Sequence, residues 1–145
     1  MKKFIQDNAL YGAFAVALVG MLGSLYFSEI ADFPPCVLCW YQRIALYPVV
    51  FITAFAIYRK SREIIAPAFA LISIGWLIGL YHNLLYYKIL PEAAAPCVAG
   101  ISCTTKYIEW FGFVTIPLLS FVAMTMILVA LIIHWRSSKG PQSND

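Results

Sequence analysis

Charge is scarce in this sequence. Ten of its 145 residues are lysine or arginine and seven are aspartate or glutamate, 12% in all. A soluble domain carries roughly twice that fraction. Apolar residues make up 62% of the chain, more than a small soluble core buries, so many of them are expected to face lipid. The formal net charge is only +3, and no basic patch points to nucleic acid. Cysteine is limited to four residues, all outside the long apolar runs: Cys36, Cys39, Cys97 and Cys103. The Cys36-Val37-Leu38-Cys39 motif is followed by Trp40 rather than histidine, which excludes a c-type haem attachment site.

Four runs are long enough to cross a membrane. Asn8–Ser28 is uncharged over 21 residues, and Ile64–Tyr87 and Trp110–Ile133 over 24 each, with His82 neutral. Ile44–Tyr58 gives 15 residues, and extending it back to Trp40 gives 19, with Arg43 near headgroup depth. At 1.5 Å per residue that length spans a hydrocarbon core of about 30 Å. The first run is longer than a signal-peptide core, Asp7 interrupts its basic flank, and no clear A-x-A site follows, so it reads as a membrane helix. Short connections predict an all-α protein, a four-transmembrane-helix antiparallel bundle over residues 1–136. Residues 137–145 read as a disordered cytoplasmic tail. Lys2, Lys3, Arg59, Lys60, Arg62, Arg136 and Lys139 fall on one side, and Arg43, Lys88 and Lys106 on the other. Both termini are therefore predicted to be cytoplasmic. The connections Glu29–Cys39 and Lys88–Glu109, which hold all four cysteines, face outward. Gly75 and Gly79 give a G-x-x-x-G spacing that fits ordinary close packing. Pro48 and Pro117 fall inside the second and fourth runs, where kinks are tolerated in membranes when neighbours satisfy the freed carbonyls.

A C-x-x-C at a helix N-terminus has a chemical logic. Its sulfurs can close a small ring, and the helix N-terminus stabilises a thiolate, the form that attacks disulfides. Two static structural disulfides are the bland alternative. A zinc site is disfavoured by the loose Cys97-x5-Cys103 spacing, and no metal is expected. Arg43 lies four residues after Cys39, on the same helical face. It either snorkels to the interface or stabilises negative charge beside a thiolate and on the oxygens of a membrane quinone. The proximity of Cys39 favours the second reading. His82 sits near the outward end of the third run. It is either an interfacial histidine bonded to backbone, or a donor to a quinone oxygen or proton relay.

Pro35-Cys36-Val37-Leu38-Cys39-Trp40-Tyr41-Gln42-Arg43 resembles the C-V-L-C-x-Y-x-R signature of the DsbB family of bacterial disulfide-bond formation proteins. The short chain resembles the Gram-positive BdbC branch, and the family resemblance includes the four spans, the second outward cysteine pair and Gly112-Phe113-Val114-Thr115-Ile116-Pro117 after it. The resemblance covers most of the chain. It implies a multi-pass protein of the bacterial plasma membrane that reoxidises a thioredoxin-fold, DsbA- or BdbD-like thiol oxidase and delivers electrons to menaquinone or ubiquinone from the membrane pool. By family position Cys97 forms the mixed disulfide with the partner, Cys103 and Cys36 make the interloop exchange, and Cys39 faces the quinone. Arg43 matches the family's quinone-site arginine, and His82 its helix 3 histidine. Only five residues separate Cys97 from Cys103, a shorter loop than in Gram-negative members. A vitamin K epoxide reductase-like enzyme shares the bundle and the C-x-x-C, but the C-V-L-C-x-Y-x-R pattern argues against it. A non-enzymatic scaffold leaves Arg43 unexplained.

Overall fold

The computed structural model describes residues 1–61, 63–91, 103 and 115–137, with Lys2 and Lys3 by backbone alone. The described residues form four helices: α1 (Lys2–Leu25), α2 (Val37–Arg59), α3 (Ile65–Tyr86) and α4 (Ile116–Ser137). All four are long and apolar enough to span a membrane. The first span continues past α1 through a turn of π-helix, Tyr26–Ile30, and reaches 27 residues. Helical backbone therefore occupies Glu29 and Ile30, where the sequence suggests a connection.

Each helix packs on two others, α1 on α2 and α4, and α3 on α2 and α4. Cross-links at the ends fix the antiparallel sense of the neighbours. His134 Nδ1 near the end of α4 donates to the carbonyl of Gln6 near the start of α1, at 2.9 Å. Asn83 Nδ2 near the end of α3 donates to the carbonyl of Pro117 at the start of α4, at 3.1 Å. In the bundle centre Trp76 Nε1 donates to Thr125 Oγ1 at 2.9 Å. Leu46, Val49, Ile72, Met124 and Ile127 fill the buried core between these links.

The glycine pair of α3 works inside the chain. A Cβ on Gly75 would stand 2.9 Å from Ala45 Cβ of α2 and 3.3 Å from the Met124 sulfur of α4. A Cβ on Gly79 would stand 3.2 Å from Gln42 Nε2. These two residues let α2, α3 and α4 approach closely at one level.

Pro117 falls inside the fourth span, as the sequence places it, but at its very start. It is the second residue of α4, in the first turn, where a missing N–H costs nothing. Thr115 precedes it and caps the helix, its Oγ1 accepting from Leu118 N at 3.4 Å. Pro48 does lie within α2. Ser137 is the last residue of α4 rather than the first of a tail, and residues 138–145 lie outside the described residues. Asp32, Lys60 and Lys88 adopt left-handed backbone at φ of 53°, 50° and 58°. Each follows the end of a helical element and turns the chain without glycine.

Candidate active site

One end of the bundle gathers the polar and sulfur chemistry: the end of α1, the start of α2, the end of α3 and the start of α4. Pro34 and Pro35 cannot continue the π-helical turn. Cys36 follows them in extended conformation, with ψ 170°, and is the N-cap of α2. Its Sγ accepts from the backbone N–H of Cys39 at 3.4 Å and lies 3.0 Å from Cys39 Sγ. Helix geometry alone brings these sulfurs together, because the N-cap residue and N3 face each other across the first turn. Both thiols are free, Cys36 buried and Cys39 half-buried. The Cys36 thiol is held far below its ordinary value, at about 4. The thiol hydrogen bond from Cys39 is the main cause; burial opposes it, and His82 adds to it.

His82, on the last turns of α3, is 1% exposed. Its Nε2 lies 3.8 Å from Cys36 Sγ and 3.2 Å from the carbonyl oxygen of Cys103. A carbonyl only accepts, so Nε2 carries the proton. Cys103 is disulfide-bonded and buried. It shares an apolar cluster with Cys36, Leu38 and Leu85. The ligand atoms of Cys36, Cys39 and His82 lie within 4.8 Å of one another, a spacing suited to a soft metal ion. The Nε2 proton pointed at Cys103 occupies the nitrogen such an ion would need.

Arg43, in the second turn of α2, donates from Nη2 to the carbonyl of Ser24 on α1 at 2.9 Å. Its guanidinium carbon lies 5.5 Å from the centre of the Trp40 ring. A cleft of about 610 Å³ opens at this end and is lined mainly by residues of α1 and α4, with several from α2. Its mouth holds Cys36, Cys39, Arg43 and His82, and its length is lined by residues such as Val19, Gly20, Gly23, Leu119, Val122 and Met126.

Residues 6–134 match the family model "Disulfide bond formation protein DsbB". The chain belongs to the DsbB family. It is 43% identical over 120 residues to "Disulfide bond formation protein C" of Bacillus subtilis (strain 168), covering 83% of this chain and 87% of that protein. It is 46% identical over 125 residues to "Probable disulfide formation protein C 1" of Bacillus cereus (strain ATCC 10987 / NRS 248), covering 86% and 89%. Over 135 residues it is 43% identical to "Probable disulfide formation protein C" of Halalkalibacterium halodurans, covering 90% and 95%. No solved structure matches the chain.

Within this DsbB-family bundle, the structure brings Cys36, Cys39, Arg43, His82 and Cys103 to one cleft mouth. Cys97 lies outside the described residues. The sequence reading passes over Gln42, Asn83 and Ser120. Gln42, 5% exposed, faces α4, with its amide oxygen placed 3.2 Å from Ser120 Oγ. The single hydroxyl proton of Ser120 serves the nearer Pro117 carbonyl, 2.9 Å away. The amide turned over, with nitrogen toward Ser120, lets the Ser120 oxygen accept while its proton stays on the Pro117 carbonyl. Asn83 donates to the carbonyls of Gly79 and Pro117. This polar belt joins α2, α3 and α4 just beneath the cysteines. The signal for it was present: Gln42 and Asn83 are amides within otherwise apolar spans, each beside a residue already singled out.

Proposed function

We propose that the protein is a membrane thiol–disulfide oxidoreductase. It reoxidises an extracytoplasmic thioredoxin-fold oxidase and passes the electrons to a membrane quinone, supporting disulfide formation in exported proteins. The observation that carries this reading is a free Cys36–Cys39 pair at the mouth of an apolar cleft, with disulfide-bonded Cys103 packed against Cys36. Family membership supports the same reaction class. The distribution of lysine and arginine supports outward-facing cysteines.

The cleft fits a quinone. A volume of about 610 Å³ is within the range of small-molecule sites. Its length is apolar, as a prenyl tail requires, and its polar groups sit at one end, as a carbonyl-bearing head requires. Nothing lies within 4 Å of a Cβ added to Gly23, so the α1 wall is open there. When bound, a quinone supplies an acceptor for two electrons and two protons. Arg43 would hold the head, since only part of its donor fork is used by Ser24. The Ser24 carbonyl orients that fork, and Cys39 is the sulfur nearest to it in sequence and helix face.

On the thiol side, Cys36 holds negative charge at the helix N-cap, and Cys103 waits beside it in an apolar cluster that excludes water. Disulfide exchange moves oxidising equivalents without creating them, so an acceptor must be coupled to it. A strongly oxidising thioredoxin-fold partner sits near −120 mV, and 30 mV is about 1.4 kcal/mol for a two-electron couple. The test is purified protein mixed with a reduced thioredoxin-fold oxidase and a quinone. Loss of quinone absorbance together with partner oxidation supports the reading. Partner oxidation with quinone unchanged contradicts the acceptor.

A further inference from the structure

Among the described residues, the imidazole of His82 has two hydrogen-bond partners, and both are cysteines. Nε2 is 3.2 Å from the Cys103 carbonyl and 3.8 Å from Cys36 Sγ. Among the described residues, buried Nδ1 has no hydrogen-bond partner. The proton on Nε2 is therefore the ring's working donor, directed at the Cys103 carbonyl with Cys36 Sγ beside it. We infer that His82 is a positioning residue that holds Cys103 beside Cys36 for disulfide exchange between the two loops.

The exchange itself is balanced. The Cys103 thiolate, released when the partner attacks its disulfide, attacks the Cys36 sulfur of the Cys36–Cys39 disulfide. The Cys36–Cys39 bond breaks, the Cys103–Cys36 bond forms, and Cys39 leaves as a thiolate. No electrons leave the protein in this step. Its rate and equilibrium depend on how often Cys103 meets Cys36. An unanchored loop residue meets a fixed partner at an effective concentration limited by chain entropy. A hydrogen bond from a buried, helix-mounted ring to the Cys103 backbone removes much of that freedom. Burial strengthens the bond, because both His82 and Cys103 are buried and water does not compete for the Nε2 proton there. The same Nε2 lies 3.8 Å from Cys36 Sγ, so one ring nitrogen stands beside both the Cys103 backbone and the Cys36 sulfur.

This inference rests on the reading of the cysteines as a relay, and does not depend on the acceptor. Its test uses no quinone. In the full chain carrying Cys39→Ser and Cys97→Ser, Cys36 and Cys103 are the remaining cysteines. Equilibration with reduced and oxidised glutathione gives the fraction of Cys36–Cys103 disulfide, and hence the effective concentration of one thiol at the other. His82→Leu should lower it about 10-fold, and His82→Gln, which keeps an N–H donor, should restore most of it. An unchanged value in His82→Leu, or a His82→Gln variant no better than His82→Leu, overturns the inference. A second measurement needs no substitution at His82. Nitrogen-15 NMR of the ring in the reduced full chain should find the proton on Nε2, and a proton on Nδ1 with Nε2 bare overturns the clamp.

Discussion

Arg43 of α2 is tied to Ser24 of α1 by a hydrogen bond of 2.9 Å from Nη2 to the backbone carbonyl. Partial insertion of an arginine in a span is costly. Here the cost is offset by a carbonyl near the end of α1, by the Trp40 ring 5.5 Å from its guanidinium carbon, and by the position at the cleft mouth. A residue that merely reaches for the interface needs no fixed partner on another helix. Arg43→Lys should therefore raise the KM for quinone, because a point charge cannot serve Ser24 and a ligand through a planar fork. Arg43→Ala should lose more, roughly 10- to 150-fold in kcat/KM, the equivalent of one charge-assisted hydrogen bond of about 1.5–3 kcal/mol. Steady-state quinone kinetics measure both.

The low thiol value of Cys36 makes a pH prediction. Its folded value, about 4, lies below the ordinary 9.0. The stabilisation this gives the reduced fold is complete above pH 9 and declines as pH falls toward 4. Between those limits the folded protein holds a thiolate where the unfolded chain holds a thiol. The thiolate ultraviolet absorbance of the reduced protein should persist to about pH 5 and titrate away near 4. It should vanish at neutral pH in Cys36→Ser. An absorbance that appears only near pH 9 contradicts the arrangement at the N-cap.

Two glycines should respond in opposite ways. A side chain at Gly23 meets open space and enters the cleft. Gly23→Leu should leave the fold intact and raise the KM for quinone several-fold. A Cβ at Gly75 would stand 2.9 Å from Ala45 Cβ. Gly75→Ala should force α2 and α3 apart and destabilise the bundle by about 1–3 kcal/mol, read as a lower thermal midpoint in detergent.

Orientation is open to a chemical test. Thiol reagents that cannot cross a membrane should label the reduced cysteines of intact cells from outside. Labelling only after the cytoplasmic face is exposed would invert the topology drawn from the lysines and arginines.

The fold was legible wherever a single physical rule decided it. Gaps in charge marked the four spans, because lipid excludes charge regardless of neighbours. The Cys36–Cys39 spacing and the proline pair before it defined the N-cap site, because that geometry is local to one turn. Features that depend on a second helix were not legible. Nothing in the sequence says that Arg43 finds the Ser24 carbonyl, that Gln42 meets Ser120 across 78 positions, or that the His82 donor faces Cys103. Backbone carbonyls have no signature in a sequence. The start of α4 is hidden for a related reason: the apolar run begins at Trp110, and the helix starts only where Thr115 caps it.

The central claim is that electrons leave the thiols for quinone through the Cys36–Cys39 pair. The most direct measurement is quinone absorbance during turnover with reduced thioredoxin-fold partner, comparing the unsubstituted protein with Cys36→Ser and Cys39→Ser. The account predicts steady quinone reduction by the unsubstituted protein and none by either variant, with both variants still folded by circular dichroism. Quinone turnover by either variant at the unsubstituted rate would contradict it.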